Sequence, residues 1–274
     1  MTSTINGIPL DDIAGDGNKS NELDVDSGKL LVAGSAQAGD MINFRNKVTF
    51  FTDFLGEAAD LSDEPHISED EGSGTGNAVT GATNGAGGTV TIASASDDGA
   101  FTANGSAIEV DGLNWKASMG NLVMEAALSI DDVSEAYCFV GFTDVLPSST
   151  LEQPIYLTSS DVIDSDAANA CGWVYDVDAT TDQWALGGVK ANTDTDPTFA
   201  GSGLAPADTV EQVLRVEVNS DGDVSGYING DLVGTVADAI TASTAITPVI
   251  VVANRSANQV IATVDYLFVQ ADRA

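Results

Sequence analysis

Residues 214–236, LRVEVNSDGDVSGYINGDLVGTV, place two tight-turn signals between three short apolar runs. Asp221-Gly222 and Asn229-Gly230 are dipeptides that accept the positive φ angles of tight hairpin turns. Apolar and polar side chains alternate in the first run, residues 214–218, as they do in a strand with one buried face. The stretch therefore predicts three short strands joined by hairpins, and it limits the fold to one rich in antiparallel pairs.

Similar runs fill the chain from residue 88 onward, separated by Asp, Gly, Asn and Ser. No long segment of helical period lies between them, and only APADTVEQV, residues 205–213, favours a short helical turn. Apolar residues on both faces of 264–269 predict a strand covered on both sides. This pattern is typical of an all-β protein built as a two-sheet antiparallel sandwich. The predicted strands are 47–56, 88–94, 121–130, 136–145, 154–159, 170–177, 183–191, 213–218, 224–229, 231–236, 248–254 and 260–270.

The chain divides by composition near residue 47. Residues 1–47 are rich in Gly, Asp, Asn and Ser without a sustained period, which predicts an extended N-terminal arm. Residues 48–274 form the predicted sandwich domain. Within it, the acidic stretch 57–71 is interpreted as a solvated loop, with a cation-binding or partner-docking loop as the alternative. The Gly-rich stretch 72–88 is interpreted as a linker or surface loop.

The charge balance excludes two classes of partner. Nine Lys and Arg stand against 42 Asp and Glu, a formal net charge of -33. A chain this acidic repels nucleic acid and anionic membrane surfaces, so we expect neither as a partner. The N-terminal residues show no basic and apolar pattern of a secretory signal, so we expect synthesis in a cytoplasm.

Five segments together carry a resemblance to a known family: FFTDFLG, MEAALSI…FVGFTDV, GWVYDVDATTDQWALGGVKA, VLRVEVNSDGDVSGYINGDLVGTV and ITPVIVVANRSANQVIATVDYLFVQA. The chain resembles the concanavalin A-like (laminin-G-like) jelly-roll structural proteins of tailed bacteriophages, over about residues 48–272. The resemblance implies a jelly-roll fold and a non-enzymatic protein of the virion surface. Its most frequent role is a head decoration, or cement, protein made in the host cytoplasm. The implied partners are the major capsid protein and further copies of the chain, a trimer among the options.

Residues 29–52 combine basic and apolar side chains in a chain that is otherwise strongly acidic. Charge repulsion disfavours attachment through the acidic loops, so this segment is the expected capsid contact. An alternative is that it packs on its own sandwich. The expected contact residues are Lys29, Leu30, Leu31, Met41, Ile42, Phe44, Arg45 and Lys47.

Trp173, Tyr175 and Trp184 suggest a second functional class. Aromatic rings stack on sugars when exposed, which would make the chain a glycan-binding adhesion module of a phage tail or head fibre. Large aromatics in strands are also common core residues. The sequence leaves both interpretations open.

Residue patterns for catalysis are incomplete. Retaining β-glucanases of this fold use a Glu-x-Asp-x-x-Glu strand, and the nearest match is IDDVSE. Asp132 and Glu135 fit its second half, but Ile130 occupies the nucleophile position. His66, the single histidine, lies among carboxylates that favour its protonated form, which is a poor general base. We therefore expect no enzymatic activity.

Metal and thiol chemistry are also weakly indicated. Asp176, Asp178 and Asp182 are a candidate calcium cluster, while no other cofactor is expected. Asp221, Asp223 and Ser225 match half of a calcium loop, but Leu232 stands where the bidentate Glu belongs. Cys138 and Cys171 lie in apolar runs and are interpreted as buried thiols, with a disulfide as the alternative.

Overall fold

The structure is a computed structural model that describes residues 47–54, 61, 66–81, 88–97, 100–110, 112–147 and 151–273, together with the backbone of four short strands nearer the N-terminus. The strands are β1 (Thr4–Ile5), β2 (Ile8–Pro9), β3 (Leu23–Asp26), β4 (Lys29–Val32), β5 (Lys47–Thr52), β6 (Ile67–Glu71), β7 (Ala78–Gly81), β8 (Val90–Ala93), β9 (Ser106–Val110), β10 (Leu122–Ile130), β11 (Ala136–Thr143), β12 (Tyr156–Leu157), β13 (Ile163–Asp164), β14 (Asn169–Asp176), β15 (Ala185–Lys190), β16 (Thr198–Phe199), β17 (Gln212–Val218), β18 (Val224–Ile228), β19 (Asp231–Val236), β20 (Thr247–Asn254) and β21 (Ile261–Asp272). One short α-helix, α1 (Phe101–Asn104), and 3-10 turns at Ala117–Met119, Val133–Glu135 and Ser202–Leu204 complete the described elements.

The chain forms two compact units, one of Met1–Val48 and one of Thr49–Asp272. In the first unit, β1 pairs with β2 and β3 pairs with β4, each antiparallel. These two hairpins are regular structure that the composition of the segment did not predict.

Two antiparallel sheets make the second unit, as predicted. The first sheet has the order β19-β18-β17-β10-β21-β8-β7, and β5 also pairs with β21. The second sheet has the order β16-β15-β14-β11-β20-β9-β6. Each sheet mixes strands that are distant in sequence, so the two sheets fold as one sandwich.

The hairpins of residues 214–236 adopt the predicted form. Asn229 and Gly230 both have positive φ, 53° and 87°, which is the signature of the mirror-image turn favoured in two-residue hairpins. Gly222 has φ 93°, and a Cβ there would lie 2.2 Å from the carbonyl oxygen of Ile240, so no other residue fits. The turn residues of 214–236 therefore have a structural role.

Strand β21 differs from its prediction. The strand buries one face only, since Val264, Leu267 and Val269 are buried while Tyr266 and Phe268 are half-buried. A register shift opposite Ala127 inserts one extra residue, and this bulge moves the alternation by one position. The prediction of a strand covered on both sides was wrong. Because the bulge shifts the alternation, apolar residues at both odd and even positions of the strand point to the same face.

The second sheet is covered on both faces instead. Every residue of β9, β11, β14 and β20 is buried. One face packs on the first sheet. The other packs against residues 151–167, which we call the strap, in a cluster that includes Tyr137, Phe139, Val174, Leu151, Ile155 and Ile163.

Three loop and helix predictions were wrong. Residues 205–213 form no helix but an irregular turn that leads into β17. The acidic stretch 57–71 contributes β6, and the Gly-rich stretch 72–88 contributes β7. The edge positions of β6 and β7 tolerate polar and small residues, so neither shows the apolar signal of a central strand.

Candidate functional site

The three aromatic residues considered for glycan contact are buried. Trp173 and Trp184 are fully buried, and Tyr175 is 3% exposed. Each polar atom has a partner inside the protein: Trp173 Nε1 donates to the Arg215 carbonyl at 3.1 Å, and Tyr175 Oη donates to the Val133 carbonyl at 3.0 Å. Trp184 Nε1 donates to Gln212 Oε1 at 2.8 Å. These rings belong to the core, so the glycan hypothesis loses the residues on which it was based.

The candidate calcium cluster contains an ion pair instead. Asp176 is 1% exposed, and its Oδ1 lies 2.8 Å from Arg255 Nε. The backbone N–H groups of Leu157 and Asp178 also donate to this carboxylate, at 3.1 and 3.2 Å. Burial raises the pKa of Asp176, although the Arg255 guanidinium and these N–H groups act to lower it. Asp178 lies 3.4 Å from the same guanidinium, and Asp182 is exposed. Within the described ranges no group of three His, Cys, Asp or Glu side chains converges as a metal site, so this prediction is corrected.

Arg255 links the second sheet to the strap. The Arg255 guanidinium lies over the Tyr137 ring, 4.9 Å from its centroid, and Tyr137 Oη donates to the Ile155 carbonyl at 2.7 Å. Because Leu157 N–H donates to Asp176, two points of the strap bond to one charged cluster. The cluster therefore stabilises the strap against the second sheet.

The half-matched calcium loop is a turn whose carboxylate is already engaged. Asn219 Oδ1 accepts from the N–H groups of Asp221 and Asp223, at 2.9 and 3.0 Å. Asp223 Oδ1 accepts from Asp238 N–H at 2.8 Å, and this bond is the main reason that the pKa of Asp223 is lowered. The residues that match the calcium-loop pattern therefore stabilise the hairpin turn.

The IDDVSE segment does not form a catalytic strand. Ile130 ends β10 and is buried, while Asp132 caps the following 3-10 turn by accepting from Ser134 N–H at 3.1 Å. Glu135 accepts from the side chains of Ser256 and Asn258. His66 is exposed, with φ 86°, at the start of β6.

Both cysteines are fully buried and free, as interpreted from the apolar runs around them. Burial raises the pKa of each thiol to about 12. The two side chains are therefore structural.

The structure describes the side chain of only one of the expected capsid-contact residues, Lys47. Lys29, Leu30 and Leu31 fall in backbone strand β4, and Met41, Ile42, Phe44 and Arg45 also lie outside the described residues. Lys47, the first residue of β5, is described and half-buried.

The outer face of the first sheet carries a set of interacting side chains that the sequence interpretation did not single out. Arg215 pairs with Glu217 and lies 3.7 Å from Glu125 Oε2, and its guanidinium lies 5.8 Å from the centroid of the Tyr227 ring. Tyr227 Oη donates to Glu217 Oε2 at 3.1 Å, and Tyr266 Oη donates to Glu125 Oε1 at 2.8 Å.

The strand register was the missing information. Tyr227, Arg215, Glu125 and Phe268 are successive cross-strand partners in β18, β17, β10 and β21. Alternation predicted that Arg215 points outward, but nothing in the sequence pairs β10 with β21, which lie more than a hundred residues apart.

Two stacked antiparallel sheets of this topology define a concanavalin A-like jelly-roll sandwich. Solved structures share the fold. A protein of unknown function from Shewanella oneidensis MR-1 superposes with a TM-score of 0.52 at 15% identity, covering 88% of this chain and 97% of that one. A Bacillus licheniformis β-glucanase gives a TM-score of 0.51 at 11% identity, covering 81% and 97%.

A binding domain is equally similar. The carbohydrate recognition domain of Emp47p gives a TM-score of 0.50 at 10% identity, covering 84% of this chain and 99% of that domain. No protein-family model and no curated protein matches the sequence. At these identities the similarity defines the fold, which enzymes and binding domains share.

Proposed function

We propose that this chain is a non-enzymatic structural protein of a phage virion, a head decoration protein that binds the capsid shell. The resemblance of residues 48–272 to phage jelly-roll proteins suggests the setting. The observation that carries the proposal is the strap, because it covers the outer face of the second sheet with the chain's own residues. A sandwich whose second sheet is covered by its own strap offers, within the described residues, no open cleft on that face, which suits a protein that attaches to the shell as a compact body.

The geometry argues against hydrolysis of a polysaccharide. Such an enzyme needs two carboxyl groups facing one another across an open site, about 5 to 9.5 Å apart. On the covered face of the second sheet, Asp176 is held by Arg255, and the cluster that packs against the strap consists of alkyl and aromatic side chains. Glu135 and Asp132, the nearest sequence match, are occupied in a turn.

Charge supports a protein partner over other macromolecules. The full chain carries a net charge of -33, which repels nucleic acid and anionic lipid and attracts basic protein surfaces. Among the described residues, no helix has the length and apolarity to cross a bilayer. The basic residues of 29–47 add the few positive charges through which an acidic neighbour on the shell would be held.

The test uses virus particles assembled without this protein. Added full-length chain should bind them and produce additional density on the shell by cryo-electron microscopy. A variant that removes three positive charges from the N-terminal unit should bind at least about tenfold more weakly. Its matched control removes three positive charges from the sandwich and C-terminus and should bind like the full chain. The first set is Lys29→Ala, Arg45→Ala and Lys47→Ala; the second is Lys116→Ala, Lys190→Ala and Arg273→Ala.

Absence of shell density at saturating protein would contradict the proposal. Equal binding by both triple variants would instead refute the role of the N-terminal segment while leaving the decoration role intact. Measurable turnover of a β-glucan, abolished by Glu135→Gln, would contradict the non-enzymatic assignment.

A further inference from the structure

The outer face of the first sheet presents exposed aromatic rings beside carboxylates. Phe51 is 59% exposed, the most exposed large apolar side chain among the described residues, and its ring centroid lies 6.2 Å from that of Tyr266. Phe268 points to the same face, two residues further along β21. We call Phe51, Tyr266, Phe268 and Glu125 the aromatic face.

Negative charge at this face is balanced only in part, since Arg215 lies 3.7 Å from Glu125 Oε2 but also pairs with Glu217. The Tyr266 hydroxyl donates to Glu125 at 2.8 Å. Burial, this hydrogen bond and the charges of Glu125, Glu211 and Asp265 all raise the pKa of Tyr266. In the part of the chain that the structure describes, neither Glu211 nor Asp265 forms an ion pair. The rings thus lie in a negative potential, which favours a cation above them.

The neighbouring strands show how such a cation is held. Arg215 lies over the Tyr227 ring and pairs with Glu217, whose other oxygen accepts from the Tyr227 hydroxyl. A tyrosine bonded to a glutamate therefore already binds a guanidinium on this sheet. Tyr266 and Glu125 repeat the tyrosine–glutamate pair, but Arg215 reaches Glu125 only at 3.7 Å and is turned toward Tyr227.

Size and charge decide which ligand fits. From Glu125 on β10 across β21 to Phe51 on β5 the aromatic face spans two strand spacings, about 10 Å, so it suits one extended segment better than a standard protein–protein interface of about 800 Å² per partner. A second copy of this chain carries the same charge of -33 and is repelled. An extended segment bearing Arg or Lys matches both the narrow shape and the negative potential.

We propose that the aromatic face binds a cationic segment of a partner protein, with an Arg or Lys side chain stacked on Phe51 and Tyr266 and paired with Glu125. The guanidinium is the better match, since it stacks on rings and forms two parallel bonds to a carboxylate. The interaction does not depend on which particle carries the partner, so it stands apart from shell binding.

The test titrates the full chain by calorimetry with a synthetic peptide of alternating Arg and Ser at about physiological salt. Glu125→Gln and Phe51→Ser should each weaken binding by about fivefold to tenfold, as expected for loss of one charge-assisted or cation–π contact. Two controls make equal changes elsewhere: Asp221→Asn removes an exposed charge in a turn, and Val162→Ser removes an apolar side chain that is 52% exposed on the strap. Both should change the dissociation constant by less than about twofold.

Three outcomes would overturn the proposal. Equal losses in the site variants and in the controls would mean attraction by bulk charge alone. Equal binding of an alternating Asp and Ser peptide would exclude charge recognition. Competition by the neutral oligosaccharide maltohexaose, lost in Phe51→Ser, would identify a glycan as the occupant. Peptide binding without shell binding, or the reverse, separates this inference from the decoration role.

Discussion

At the scale of single residues, the most consequential finding is the charged cluster beneath the strap. Asp176 is the centre of three interactions, since it accepts from Arg255 and from two backbone N–H groups, and its side chain is fully buried. A buried carboxylate is tolerated only while its partner remains, because an unpaired charge in an apolar environment is costly. Arg255 therefore stabilises the packing of the strap on the second sheet.

We expect Arg255→Met to lower the free energy of unfolding by about 3 to 5 kcal/mol, because it leaves Asp176 buried without a cation. Urea unfolding measures the loss. Adding Asp176→Asn should recover part of it, since a neutral amide replaces the unpaired charge. The control Lys190→Met breaks an exposed pair with Asp238 and should cost no more than about 1 kcal/mol. Equal losses of unfolding free energy for Arg255→Met and Lys190→Met would contradict the stabilising role of the Asp176–Arg255 pair.

The same variant should respond to pH in a defined direction. Burial already raises the pKa of Asp176 above its ordinary value, and removal of Arg255 removes a contribution that lowers it. A folded state with a raised carboxyl pKa binds protons more tightly than the unfolded chain, so acid recovers stability. The difference between wild type and Arg255→Met should therefore shrink as the pH falls through the raised pKa, and a difference that grew in acid would refute this account.

At the scale of elements, the strap packs into the second sheet through glycine. A Cβ on Gly187 in β15 would lie 1.9 Å from Ile163 Cδ1 of β13, so the side chain of Ile163 occupies the space that any larger residue would need. The contact is a knob on the strap entering a hole in the sheet. Its fit is measurable by adding one methyl group.

Gly187→Ala should cost about 1 to 3 kcal/mol in unfolding free energy, as overpacking of a core does. In the background of Ile163→Val, which lacks the Cδ1 atom, the same substitution should cost less. Gly203→Ala is the matched control, because a Cβ there meets no atom within 4 Å, and it should be neutral within about 0.5 kcal/mol. Independent, additive effects of Gly187→Ala and Ile163→Val would show that the strap does not pack as described.

The sequence predicted the central strands well because their signal is local. Alternation in 214–218 and the turn dipeptides fixed β17, β18 and their hairpins without knowledge of the rest of the chain. β9 was missed, although all five of its residues are buried, because Ser106–Val110 is a short run between glycines.

Long-range contacts were beyond that reasoning. A tryptophan in a strand reads the same whether it faces solvent or another sheet, and Trp173 and Trp184 are buried because the two sheets stack. Likewise, Asp176 is an ion-pair partner and not a calcium ligand because Arg255, which follows β20 and lies 79 positions away in sequence, contacts it. The aromatic face requires the pairing of β10 with β21, which no local pattern specifies.

At the scale of the whole molecule, charge opposes the fold that the sheets create. The chain carries a net charge of -33 on 28.0 kDa. Repulsion between these like charges is stronger in the compact folded state than in the unfolded chain, where the charges lie further apart. Salt reduces this repulsion, since the screening length falls from about 30 Å at 0.01 M to about 10 Å at 0.1 M ionic strength. The Asp176–Arg255 pair is buried and is screened far less, so we expect the net effect of salt on the full chain to be stabilising.

We therefore expect the melting temperature to rise by about 5 °C or more when NaCl increases from low concentration to about 0.5 M, which for a chain of this size corresponds to a gain of roughly 1 to 2 kcal/mol. KCl should match NaCl at equal ionic strength, because screening does not depend on the identity of the cation. CaCl2 should stabilise no more than MgCl2 at equal concentration, since the candidate calcium ligands are engaged by Arg255 and by turn N–H groups. A melting temperature that does not change with NaCl would show that self-repulsion does not limit stability. A rise specific to CaCl2 would show that a calcium site exists and would contradict this expectation.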